Sequence, residues 1–165
     1  MLLDAFDRLP QTLCHHDAFR RNLFVRHSAD GRDQTVAVDW AFVGTGTIGE
    51  EIVTLVQTSL FFLEVDLAKA PELDEIVFEG YLEGLRDAGW RGDPRMVRFG
   101  YTAASALRGV SGMGAAIPFL LDESRYGRME RELGRPIEEM MNFFAETVRL
   151  MLNLADEARE LLGSL

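Results

Sequence analysis

The chain has 165 residues, 47% of them apolar and 27% charged, so it is the size of one domain and can bury a sizeable core. Its net charge of −10 argues against a nucleic-acid partner, because binding to a phosphate backbone depends on clustered lysine and arginine. Cys14 is the one cysteine and no leader or membrane-length apolar stretch is present, so we expect a cytoplasmic protein with no disulfide and no membrane partner.

The strand signals lie in the first 45 residues. A short helix ends near Leu9, because Pro10 disfavours helical geometry in the residue before it. Three short apolar runs then predict strands, at Thr12–Cys14, Leu23–Arg26 and Thr35–Val38. Between the last two runs, residues 28–33 contain Asp-Gly, a dipeptide typical of tight turns, which predicts a β-hairpin.

The remainder of the chain has helical periodicity. The predicted segments begin near Ile48, Pro71 and Pro94, cover Ile117–Leu133, and continue from Pro136. We expect the first helix to be buried on most sides, because apolar residues occur on several of its faces. Gly80 and Gly84 lie on the apolar stripe of the second and predict close helix contact. The third is expected to fray at Gly109–Gly114.

A set of polar residues near the start of the chain carries the chemical signal. His15 and Asp17 form a His-x-Asp sequence, Asn22 follows five residues after the aspartate, and Asp39 closes an apolar strand. An aspartate on a loop can accept the proton of an attacking hydroxyl, and a short loop returns the asparagine to the same site. Carboxylate and amide oxygens suit Mg²⁺, a hard cation.

The stretch from about Leu3 to Val56 resembles the aminoglycoside phosphotransferase and choline kinase-like family. In that family the loop usually has the sequence His-Gly-Asp-x-x-x-x-Asn, and an aspartate in Ile-Asp-Trp or Ile-Asp-Phe binds metal. The resemblance implies the role of catalytic base for Asp17, and implies that Asn22 and Asp39 bind Mg²⁺ and, through it, ATP or GTP. It also implies that His15 belongs to the catalytic loop, which it holds by hydrogen bonds.

Two further features belong to the same comparison. Residues 44–51, Gly-Thr-Gly-Thr-Ile-Gly-Glu-Glu, lie where the family has a glycine-rich turn followed by an acidic residue that opens a helix. That acidic residue is usually aspartate, and here it is glutamate. His16 stands where glycine is common.

The resemblance covers one lobe of the family's fold. Only fourteen residues precede His15, too few for the family's amino-terminal sheet, and Lys69, the one lysine, follows the metal aspartate in chain order. We expect a mostly α fold with a small β-hairpin, the carboxy-terminal lobe of a protein-kinase-like fold with the amino-terminal lobe absent. The predicted single domain spans 1–165, with the catalytic and metal loops in 12–46 and a helical subdomain in 48–165.

The predicted function is transfer of the nucleotide γ-phosphoryl group to a hydroxyl of a small molecule, by a chain completed by an amino-terminal lobe. That lobe could come from a second polypeptide or an upstream segment. Metal ligands without a phosphate cradle bind nucleotide weakly, so the alternative is a non-catalytic remnant or an interaction module that forms homo-oligomers or docks another protein through an apolar face.

Some residues allow other interpretations. A transition-metal site could form from the cluster Cys14, His15, His16, Asp17 and His27. Consecutive strand residues point to opposite sides, which disfavours it. The methionines at 140, 141 and 151 are expected in the core rather than in a cofactor site. A solvated surface, or a surface that attracts a cationic acceptor, is expected from the acidic residues Glu64, Asp66, Glu72, Asp74 and Glu75.

Overall fold

The architecture is mostly helical, with two small antiparallel sheets near the amino-terminal end. A computed structural model describes residues 2–29, 31 and 33–165, and the side chains in that part except those at 110, 113, 115, 116, 119 and 133. The helices are α1 (Leu2–Phe6), α2 (Glu50–Phe61), α3 (Ala70–Asp87), α4 (Pro94–Leu120), α5 (Tyr126–Leu133) and α6 (Ile137–Leu162). The strands are β1 (Gln11–Cys14), β2 (Leu23–His27), β3 (Asp33–Ala37) and β4 (Gly44–Thr47).

Strands β2 and β3 form the predicted hairpin and pair antiparallel. In the connecting turn, Gly31 has a φ of +79°, a conformation that glycine adopts without steric cost. The other turn residues Asp30 and Arg32 lie outside the described residues. Because the hairpin folds back, the residues just after β3 lie beside those just before β2. The Val38 amide donates a hydrogen bond to the Asn22 carbonyl at 3.0 Å.

The glycine-rich stretch expected to be a turn contains a strand, β4, which pairs antiparallel with β1. Glycine is depleted in strands, so composition conceals this one. The reason for the glycine is packing: a Cβ added at Gly46 would lie 2.8 Å from Cys14 Sγ and 2.8 Å from His16 Cε1. A larger residue would therefore push apart the two strands and the loop that follows β1.

Helix α4 packs backbone to backbone against the turn that opens α2. A Cβ at Gly100 would lie 1.9 Å from the Ile48 carbonyl oxygen, and one at Gly49 would lie 2.2 Å from the Val97 carbonyl oxygen. Gly49 also has a φ of +88°. Because two glycines remove the side chains at this crossing, α4 fixes where α2 begins.

Two expectations about glycine are wrong. A Cβ at Gly80 or Gly84 would meet nothing within 4 Å, so neither marks close helix contact. Helix α4 does not fray at Gly109–Gly114 but continues unbroken to Leu120. A Cβ at Gly109 would lie 2.9 Å from Sδ of Met151 in α6, so the glycine allows these helices to approach. Tertiary packing thus outweighs the low helix propensity of glycine.

The apolar core is built by α2, α4 and α6. Its most buried side chains include Ile52, Val56, Leu60, Val97, Phe99, Tyr101, Met140 and Ala158. Helix α2 is buried on most sides, as predicted, and only its last residue, Phe61, is exposed among its residues. None of the helices in the described part of the chain is both long and apolar enough to cross a membrane.

One ion cluster joins three helices. Arg98 of α4 donates to Asp74 of α3 at 2.7 Å and to Glu157 of α6 at 2.6 Å and 2.8 Å. Burial alone would lower the pKa of Arg98, but the hydrogen bonds to Glu157 and Asp74 outweigh burial and raise it. The guanidinium stays charged and holds α3 and α6 against α4.

Candidate functional site

Asp17 and Asn22 belong to a compact loop, residues 15–22, which we call the aspartate loop. The Asn22 amide nitrogen donates to the Asp17 side-chain oxygen Oδ2 at 2.8 Å and to the Asp17 carbonyl at 2.9 Å. A single turn of 3₁₀-helix, Arg20–Asn22, brings the asparagine back toward the aspartate. The structure therefore brings these two predicted site residues into direct contact.

His15 ties the aspartate loop to the end of the hairpin. Its ring nitrogen Nδ1 accepts a hydrogen bond from the Asp17 amide at 3.3 Å, and its Nε2 donates to the Val38 carbonyl at 2.8 Å. The Trp40 ring lies 4.5 Å away, between centroids. Both ring nitrogens are thus used on the backbone, and the buried ring holds two loops together.

Asp39 lies one residue beyond this junction. Its backbone is left-handed, with φ +61° and ψ +63°, and its exposed side chain caps no turn through a hydrogen bond. Its neighbour Val38 contacts both His15 and the Asn22 carbonyl. The aspartate loop and the turn that carries Asp39 are therefore adjacent through the backbone of Val38.

Glu51, in the first turn of α2, binds the backbone of the aspartate loop, a role that the sequence did not reveal. Its carboxylate accepts hydrogen bonds from the His15 amide at 2.6 Å and from the His16 amide at 3.0 Å and 3.2 Å. His16 has a φ of +62°, which explains why glycine suits this position in the family it resembles. The only signal was an acidic residue in the first turn of α2, which is equally typical of any helix start.

A second carboxylate, that of Glu50, links the same region to α4. Glu50 accepts from the Thr47 amide at 3.0 Å and from the Arg108 guanidinium at 3.1 Å. Arg108 also donates to Thr54 at 3.1 Å and lies 3.2 Å from His16 Nδ1, which must accept because a guanidinium has only donors. Residues far apart in sequence thereby fix the loop.

The transition-metal interpretation is wrong for the described residues. Burial, followed by the charges of Glu51 and Glu50, raises the pKa of the Cys14 thiol to about 12, which disfavours the thiolate that a metal ion would bind. His27 lies at the far end of the hairpin and pairs with Asp33 at 2.7 Å. Within the described chain no group of three or more His, Cys, Asp or Glu side chains is placed to hold a metal ion.

The donor atoms near Asp39 suit a hard cation instead. Asn22 uses its amide nitrogen on Asp17, so its amide oxygen is the atom that remains for a ligand. Asp39 contributes an exposed carboxylate. Such oxygen donors match Mg²⁺ chemistry, and the role of both residues as metal ligands stays a prediction.

A cavity of about 470 Å³ opens beside Asp17. The aspartate loop forms one side, the end of α2 another, and α4 with α6 the remainder. Met140 is buried as predicted, whereas Met151 lines this cavity rather than lying wholly in the core. Lys69 is not among the described lining residues. The cavity is large enough for a small organic molecule.

Comparison with models of known protein families identifies the family of this chain. A model described as the phosphotransferase enzyme family matches residues 2–96, which is more than half of the chain and includes the aspartate loop and Asp39. No curated protein and no solved structure matches the chain.

Proposed function

This chain belongs to the phosphotransferase enzyme family, and from that premise we propose that it transfers the γ-phosphoryl group of ATP or GTP to a hydroxyl group of a small molecule. One observation carries the proposal. The carboxylate of Asp17, oriented by Asn22, borders a cavity that can accept such a molecule.

Asp17 is the proposed base of the transfer. The acceptor oxygen bonds to the γ-phosphorus while the bond from that phosphorus to the bridging oxygen breaks, and the nucleoside diphosphate leaves. The hydroxyl proton passes to Asp17. The Asn22 amide fixes one carboxylate oxygen at 2.8 Å, and His15 is a positioning residue, because its ring bonds hold the loop in place.

Asn22 and Asp39 would hold the Mg²⁺ that members of this family generally use with nucleotide. When bound, the ion compensates the negative charge of the phosphate oxygens. The support for this assignment is the pair of hard oxygen donors at adjacent loops. Each residue also keeps its protein contacts: Asn22 orients Asp17, and the backbone next to Asp39 is bonded to His15.

We propose that the fold is the carboxy-terminal lobe of a protein-kinase-like fold, in which residues 1–165 act as one unit. Glu51, in the helical subdomain 48–165, accepts two amides of the loops in 12–46, which supports that unity. A second lobe, or a nucleotide-binding surface from a partner, would then grip the nucleotide.

A second candidate function, an interaction or oligomerisation module, also has support. Large apolar side chains are exposed on both small sheets and on the turn that joins them, namely Leu13, Phe24, Val25, Trp40, Phe42 and Val43. Several large exposed apolar side chains in one small region exceed the scattered single ones that are normal on a monomer, and favour a surface that another chain covers. A lobe of a partner or a second copy of this chain would fit this surface.

The test is transfer of labelled γ-phosphate from Mg–ATP to a panel of small alcohols. Asp17→Asn should lower the rate at least about 100-fold, because general-base catalysis typically contributes that much. Asp33→Asn is the matched control: this aspartate pairs with His27 on the exposed hairpin and should leave the rate unchanged.

Transfer that survives in Asp17→Asn would remove the assignment of the base. If calorimetric titration shows no binding of Mg–ATP at millimolar concentration, the phosphotransfer proposal fails for this chain alone and the interaction module is favoured.

A further inference from the structure

We propose that the cavity beside Asp17 binds an uncharged alcohol with an aromatic or other bulky hydrocarbon part. The inference rests on the proposed function, because it assigns a chemical class to the acceptor of that same transfer. It follows from the walls of the cavity, from its charges and from the space above one glycine of α4.

The walls are apolar. Phe19 of the aspartate loop and two phenylalanines at the end of α2, Phe61 and Phe62, face the cavity together with Met151 of α6. Phe61 is 49% and Phe62 44% exposed, although large aromatic side chains gain most from burial. A hydrocarbon ligand placed between them would remove this apolar surface from water.

The charges of the cavity disfavour a polycation. Asp17 and Arg108 are the charged side chains among the described residues that line it. Arg108 is already paired with Glu50 at 3.1 Å, which leaves the carboxylate of Asp17 as the uncompensated charge. A polycationic acceptor would find this single carboxylate for its several charges, whereas an uncharged alcohol brings no charge that must lose its hydration.

Two of the five acidic residues that the sequence suggested for a cationic acceptor form ion pairs within the protein. Glu64 lies 3.4 Å from Arg20 and 3.5 Å from Arg21, and Asp74 pairs with Arg98 at 2.7 Å. Neither Glu64 nor Asp74 is among the described residues that line the cavity. Asp66, Glu72 and Glu75 are also not among the described lining residues, so this acidic surface offers no site for a cation beside Asp17.

Gly112 marks the space that the acceptor would occupy. It lines the cavity, and a Cβ added there would meet no described atom within 4 Å. Gly114 lies two residues further along the same helix and likewise has no described atom near its Cβ position, but it is not among the described lining residues. Leucine at either position should be accommodated by the helix, and only leucine at 112 should fill the cavity.

The experiment measures binding of two probes to the chain by saturation-transfer NMR and calorimetry. The uncharged aromatic alcohol 2-naphthaleneethanol should bind at least tenfold more tightly than the polycationic aminoglycoside kanamycin. Gly112→Leu should weaken binding of the alcohol at least tenfold, and Gly114→Leu should leave it unchanged. Circular dichroism checks that both variants fold, and Gly112→Ala, a smaller change, should weaken binding in the same direction.

Tighter binding of kanamycin, or equal binding of the alcohol to Gly112→Leu and the unchanged chain, would overturn the inference. Release of nucleoside diphosphate is measured separately for both probes. Transfer to kanamycin alone would keep the proposed function and overturn the acceptor class. If Gly112→Leu weakens binding of the alcohol but no alcohol accepts phosphate, the proposed function is contradicted and the apolar binding site stands.

Discussion

The loop region, residues 11–47, and the helical region, residues 48–162, differ in what stabilises them. The loop region consists of two two-stranded sheets whose large apolar side chains are mostly exposed, and sheets this small are marginal by themselves. The helical region holds nearly all of the buried apolar side chains. The predicted site residues thus lie in the less stable part of the chain, and contacts from the helices fix their positions.

The backbone crossing between α4 and the start of α2 gives the largest expected effect. Gly100→Ala would place a Cβ 1.9 Å from the Ile48 carbonyl oxygen, so the two backbones must separate. We expect a loss of about 3 kcal/mol in the free energy of unfolding, the upper range for overpacking. Urea denaturation followed by circular dichroism measures it.

Gly114→Ala is the control for that substitution. It lies on the same helix with open space around it, so alanine should stabilise the chain by roughly 0.5–1 kcal/mol through helix propensity. Equal changes in the free energy of unfolding for Gly100→Ala and Gly114→Ala would mean that the contact between α4 and the start of α2 does not position the loop region.

The bonds from Glu51 to the aspartate loop are the direct link between the two regions. Glu51→Ala leaves the amides of His15 and His16 without their carboxylate acceptor, at an expected cost of about 2 kcal/mol. It should also lower phosphoryl transfer, because the backbone that carries Asp17 loses its support. Denaturation and the transfer assay measure the two effects.

Glu83→Ala is the control for Glu51→Ala. It removes an exposed glutamate of α3 and should change neither the free energy of unfolding nor the rate of phosphoryl transfer. If Glu51→Ala loosened the loop without affecting transfer, Asp17 would not depend on the helices for its position.

The same contrast explains how much the sequence could predict. Local signals were enough for the hairpin, for the helix that opens after Pro136, and for the contact between Asp17 and Asn22, which lie five residues apart. The support from Glu51 and Arg108 joins residues separated by 35 to 92 positions, and no spacing rule encodes such contacts.

Glycine was the main source of error, because its propensity describes an isolated segment. Gly46 lies in a strand and Gly109 in an unbroken helix, since each allows a close approach to a neighbour. Gly80 and Gly84, which lay on an apolar stripe, have no such neighbour. The partner of a glycine decides its role, and the partner is known only after folding.

Cys14 gives the smallest expected effect and tests how firmly β1 is enclosed. Burial raises the pKa of its thiol from 9.0 to about 12, so the folded chain keeps the proton that the unfolded chain releases above pH 9. The contribution of the protonated thiol to the free energy of unfolding is complete below pH 9 and is lost as the pH rises toward 12. At pH 10 the loss is about 1 kcal/mol by linkage. Between pH 8 and 10 the free energy of unfolding of the unchanged chain should fall by about 1 kcal/mol more than that of Cys14→Ala. Parallel curves would mean that the thiol is open to solvent and that β1 packs loosely against the helices.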